Sequence, residues 1–111
     1  MILMSADSIR AVDPESGVEL WKERYDASNG SIIMTPLFDG ENLFVGGYTS
    51  RNMLLKREPN SAAFSIVFQD DPKLGISPVN VQPILDGKVM YGVNQDGTFM
   101  AVEMASGKRL W

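Results

Sequence analysis

Residues Ala11-Val-Asp-Pro-Glu-Ser-Gly-Val-Glu-Leu-Trp21 return, without a gap, as Ala101-Val-Glu-Met-Ala-Ser-Gly-Lys-Arg-Leu-Trp111. The copies share Ala, Val, Ser-Gly, Leu and Trp at matching positions, and each has an acidic residue third. They stand 101 − 11 = 90 residues apart, too far for one small repeat, and half that distance, 45, predicts a degenerate copy near position 56. Met53–Phe64 fits when laid over Ile9–Leu20, with Leu55 for Ala11, Arg57 for Asp13 and Asn60-Ser61 for Ser16-Gly17. Pro36-Leu-Phe-Asp-Gly40 and Pro83-Ile-Leu-Asp-Gly87, offset by 47, support the register.

A period near 45 residues belongs to a propeller blade or a solenoid turn. Strand signals choose between them. Each period carries four short β-rich runs bounded by turn residues, and no segment keeps helical spacing over two turns. The runs are Ser31–Leu37, Glu41–Gly47, Asn52–Arg57 and Ser61–Phe68, then Pro78–Leu85, Lys88–Val93, Gly97–Glu103 and Lys108–Trp111. Ile2–Ser5, Ser8–Asp13 and Val18–Trp21 read as the last three strands of a preceding unit. The expected fold is therefore all-β: an incomplete β-propeller whose blades are four-stranded antiparallel sheets. Residues 1–111 form one partial domain with repeat units at about 1–25, 26–69 and 70–111.

Turn chemistry agrees. In Asp13-Pro-Glu-Ser-Gly17, Pro14 is pre-set for a type I turn, Gly17 is free to take a positive φ, and Asp13 can cap backbone amides within the loop. Asp39-Gly40, Asp86-Gly87 and Asp96-Gly97 are further hairpin signals. Trp21 points to the face opposite Val18 and Leu20, and a ring packed between sheets buries on the order of 200 Å². Ala11 and Ala101 are small where an adjacent sheet must approach.

Composition excludes several functions. The net charge is −4 and no Lys/Arg cluster exceeds two adjacent residues, so a nucleic-acid surface is not expected. Cysteine and histidine are both absent, which removes thiolate metal sites, disulfides and every Ser-His or Cys-His mechanism. No apolar run approaches the roughly 20 residues of a membrane span. Gly46-Gly47 does not extend to a phosphate loop, and Asn94-Gln-Asp-Gly97 lacks the flanking ligands of a calcium loop.

The pattern Ala-x-Asp-x-x-Thr-Gly-x-x-x-Trp resembles the quinoprotein-like propeller repeats named for pyrroloquinoline quinone dehydrogenases. Ala11, Asp13, Gly17 and Trp21 match it, and so do Ala101, Gly107 and Trp111; Ser16 and Ser106 replace Thr, and Glu103 replaces Asp. The resemblance implies that each Trp docks against the next repeat. It carries over the fold and not the chemistry: no residue here can be assigned to the family's quinone pocket, calcium site or catalytic aspartate. No catalytic, cofactor-binding or metal residue is therefore assigned; the quinone and calcium belong only to the alternative that the chain is a piece of a quinone-dependent dehydrogenase with its catalytic residues on other blades. The preferred expectation is a non-catalytic module that binds or scaffolds another protein, which the resemblance would place in the periplasm or elsewhere outside the cytoplasm.

A binding surface is expected on loops at one face of the disc. Tyr48 and Arg51 in Tyr48–Asn52, Asn94 in Asn94–Gly97 and Tyr25 in Lys22–Asp26 are the candidate partner contacts, because Tyr and Arg dominate interface hot spots. Two and a half blades leave sheet faces and strand edges bare, so further blades of a longer chain or self-association are expected to cover them.

Overall fold

A computed structural model describes residues 1–111. Strands β1 (Ile2–Met4), β2 (Ser8–Val12) and β3 (Glu19–Arg24) form the first antiparallel sheet. Strands β4 (Leu37–Phe38), β5 (Asn42–Val45), β6 (Met53–Arg57) and β7 (Phe64–Gln69) form the second, and β8 (Ile84–Asp86), β9 (Val89–Val93) and β10 (Phe99–Glu103) the third. Each sheet follows chain order, and the sheets do not close on themselves. The chain is all-β, built of incomplete propeller blades. No helix is long and apolar enough to cross a membrane.

Three expected strands are cut short. Ser31–Leu37 contributes only Leu37–Phe38, and Pro78–Leu85 only Ile84–Asp86. Prolines explain both: Pro36, Pro78 and Pro83 have no amide to donate to a ladder. Lys108–Trp111 forms no named strand, yet it lies along β10 through a Val102–Arg109 bridge and the Ala101 amide, which donates to the Trp111 carbonyl at 2.9 Å.

The second sheet is buried on both faces, and its alternation divides two cores. Leu43, Val45, Met53, Leu55 and Phe64 pack with Ile9, Tyr25 and Ala27 beside the first sheet. Phe44 and Leu54 pack with Met90, Met100 and Val102 of the third. Register explains the division: Leu37, Phe44, Leu54 and Phe68 stand opposite one another across four strands, forming one row on the face toward the third sheet. Each fully buried side chain of this kind contributes about 1.5–3 kcal/mol.

The hairpins after β2, β6 and β10 show the repeat more exactly than the sequence overlay does. The Asp13, Glu58 and Glu103 amides donate to the Val18, Ala63 and Lys108 carbonyls, each at 2.9 Å. Ser16, Ser61 and Ser106 each accept a bond from the amide two residues on, at 3.3, 3.0 and 3.2 Å. Both steps are 45 residues, 61 − 16 and 106 − 61. Glu58, not Arg57, therefore takes the place of Asp13, and Pro59 that of Pro14. The left-handed residue moves in the middle turn: Gly17 and Gly107 have φ of 74° and 73°, whereas Asn60 has 53°. Asn tolerates that region where Ala62, at the glycine's place, does not.

Neighbouring sheets meet through aromatic and polar contacts. Trp21 lies with its ring centroid 5.1 Å from that of Phe64 in β7. Phe68 lies against the Gly107 turn of the third sheet, where an added Cβ would run into the ring. Trp111 is 68% exposed, and its ring lies 6.3 Å from that of Tyr91 in its own sheet. The Gln82 side chain grips the Thr35 backbone from both sides, accepting from its amide at 2.7 Å and donating to its carbonyl at 3.1 Å. Lys88 meets Asp39 at 3.1 Å across the same gap.

Burial works to raise the Asp39 pKa, but the Asn42 and Glu41 amides, the Asn42 side chain and Lys88 overcome it and hold the carboxyl at about 2. A folded pKa below the unfolded value of about 3.9 stabilises the fold above pH 4, and that contribution is lost as pH falls toward 2. Denaturant titrations at pH 6 and pH 2.5 should show Asp39→Asn costing on the order of 1–2 kcal/mol at the higher pH and much less at the lower.

The two motif glycines should also separate. Gly17 has open space around its Cβ direction, so Gly17→Ala costs about 1 kcal/mol from φ alone. Gly107→Ala meets the same strain and the Phe68 ring, adding about 1–3 kcal/mol. Equal losses in chemical denaturation would contradict the inter-sheet role of Gly107.

Candidate functional site

Antiparallel pairing brings the β5–β6 and β9–β10 turns to the same end of the sheets as the connections 25–36 and 70–83. Asn52, fully buried, fixes this end. Its side chain donates to the Leu74 and Asp71 carbonyls at 2.7 and 3.1 Å and accepts from the Asp71 amide at 3.1 Å. Asn94 accepts from the Ser77 amide at 3.0 Å and donates to Asp96 at 3.2 Å. The Gln95 side chain crosses to the Thr49 amide at 2.9 Å. Thr49 and Ser50 both hold left-handed backbone, with φ of 60° and 58°, which is costly for residues other than glycine.

The four sequence candidates separate in this frame. Tyr48 is 47% exposed. Arg51 pairs with Asp70 at 2.9 Å, each about one-third exposed. Asn94 is partly covered, with its amide engaged as above. Tyr25 is a correction: it is only 2% exposed, and its hydroxyl donates to the Arg51 carbonyl at 2.8 Å. Burial, reinforced by the Asp70 charge and opposed by Arg51, pushes its pKa up to about 12. Buried in this way, Tyr25 presents no surface; it ties the first sheet to the turn that presents Tyr48.

Tyr48 borders a cleft of about 520 Å³ whose other walls are Ser31, Ile32, Ile33, Val79 and Asn80. None of these five walls was singled out from the sequence, because they were read as interior strand residues. The prolines at 36, 78 and 83 were the available signal that these stretches leave the ladder. A second cleft, about 600 Å³, lies at the other end between Glu41, Lys56, Arg57 and Glu58. Its charges largely answer one another, with Lys56 and Glu41 paired at 3.2 Å.

No group of three or more acidic, His or Cys side chains converges anywhere in the chain. The Asp residues instead organise turns. Asp13 accepts from the Glu15 and Ser16 amides at 2.8 and 3.1 Å, which lowers its pKa, and Asp96 is lowered chiefly by the Thr98 amide.

Residues 5–111 match the family described as outer membrane protein assembly factor BamB, a family of PQQ-like repeats. The chain belongs to this family. No curated protein matches it. Membership agrees with the all-β sheets and with the repeated Asp/Glu-to-Ser hairpins, and it covers both cores and the Tyr48 cleft.

Tyr25→Phe removes the donor to a shielded carbonyl and should lower stability by about 1–2 kcal/mol. Tyr48→Ala should stay within about 0.5 kcal/mol of the parent. Thermal unfolding of both variants checks the assignment of one tyrosine to the scaffold and the other to the surface.

Proposed function

We propose that this chain is a non-catalytic β-propeller module that binds or scaffolds another protein. The observation that carries the reading is the match of residues 5–111 to a family described as an assembly factor. Its repeat units, at about 1–25, 26–69 and 70–111, act together as one partial domain. Trp21 acts as an inter-blade dock, and Trp111 serves the same purpose toward a further blade or a second copy. Ile84, Tyr91, Phe99 and Trp111, between 39% and 73% exposed, give that neighbour an apolar face.

The binding end is the one that carries Tyr48 and Arg51. Three features support this. The turn holds strained backbone at Thr49 and Ser50, which recurs where loops carry function. Exposed apolar side chains border a cleft there. Beneath it, Asn52, Tyr25 and Gln95 make a rigid base, and a preorganised surface loses less entropy on binding.

The competing role, a portion of a quinone-dependent dehydrogenase, makes a different demand: residues that hold a quinone and a calcium ion. Calcium alone wants about six to eight converging oxygens. Calorimetric titration of the chain with pyrroloquinoline quinone, with and without calcium, should give no saturable heat. Saturable micromolar binding of the quinone would transfer the assignment to the dehydrogenase.

A further inference from the structure

The walls of the Tyr48 cleft are equivalent segments of two successive repeats. Ile32 and Val79 are 79 − 32 = 47 residues apart, the same offset that separates Pro36 from Pro83. Each wall runs up to its proline without joining a sheet. The backbone amides and carbonyls of Ile32, Ile33, Met34, Val79, Asn80 and Val81 make no hydrogen bond within the chain. Two stretches of unpaired main chain thus flank one depression, with Ile32 and Tyr48 each 47% exposed around it.

Charge defines what can lie there. No charged side chain lines the cleft, although the chain carries 24 ionic side chains and a net charge of −4. A charged occupant would lose hydration and meet no counter-charge. A purely apolar ligand would cover the free amides and carbonyls and leave them unsatisfied, at a cost for each. An extended polypeptide meets both conditions, since it carries alternating side chains and a regular row of donors and acceptors.

We propose that the Tyr48 cleft binds an extended, uncharged peptide segment rich in β-branched or aromatic residues. Its side chains pack on Ile32, Tyr48 and Val79, and its backbone bonds to residues 32–33 or 79–80. The proposal rests on the protein-binding role given above and names the chemistry of the partner segment. The Thr49-Ser50 turn, tied down by Gln95, keeps Tyr48 raised at the cleft edge before any partner arrives.

The test uses the full chain and a fluorescein-labelled, end-capped octapeptide of alternating valine and threonine, followed by fluorescence anisotropy. Saturable binding is expected. Ile32→Asp and Val79→Asp, both at partly exposed sites and so compatible with folding, should each weaken it at least tenfold while leaving the thermal unfolding curve in place. Replacing two central threonines of the peptide with glutamate should weaken it by a similar factor. No saturable binding, or equal binding by both Asp variants, overturns the proposal. The quinone titration separates the two levels: a chain that binds neither quinone nor octapeptide loses this inference alone, whereas quinone binding removes the protein-binding role itself.

Discussion

The second sheet is sandwiched, and almost everything else in the chain follows from that. A four-stranded sheet buried on both faces needs apolar side chains at successive positions, so β5 reads Asn42-Leu43-Phe44-Val45 with every residue buried. Phe44 serves the core shared with the third sheet; Leu43 and Val45 serve the other. A one-residue slip of β5 against its neighbours would exchange the two cores, and Phe44 would enter a space already filled by Tyr25, Phe64 and Trp21. Register in the centre is therefore tightly specified. At the edges, where β3 and β7 meet solvent, it relaxes, and both β2–β3 and β6–β7 contain a register shift.

The blade period, the Asp-Gly turns and ten of the eleven strand positions were readable because they depend on local chemistry, and the family match agrees with the repeat. The middle copy was misaligned by one residue. Its bulge falls between Leu54 and Leu55, whereas that of the first sheet falls between Ala11 and Val12. The misfit has another source: the middle turn has Ala62 at the motif glycine's place, so the Ser-Gly landmark that fixes the register of the other copies is missing there. Phe68, which faces the third sheet across from Leu54, stands two residues beyond the place that the 45-residue step gives the tryptophan, so a search for tryptophan passes over it.

The surface was less readable for a different reason. Tyr25 and Tyr48 are alike in a sequence, each polar-tipped and loop-borne, and only tertiary contacts decide that one is buried beneath the other's turn. The cleft walls were missed because Ile32-Ile33 and Val79 carry strong β-propensity, and propensity alone gives no sign that a pleated segment lacks a partner strand. The prolines beyond them mark the change, since a missing amide disfavours the ladder.

The Gln82 clamp on Thr35 has a consequence for how such arrays diverge. Both of its bonds go to main-chain atoms, so the side chain at position 35 plays no part in being recognised. Gln95 reads the Thr49 amide in the same way. The reader must keep its identity, while the residue being read can mutate freely so long as its backbone path is kept. At these two positions the constraint between neighbouring blades is one-sided, so a repeat can drift there in sequence, as the middle one has elsewhere, while remaining an acceptable neighbour to the next.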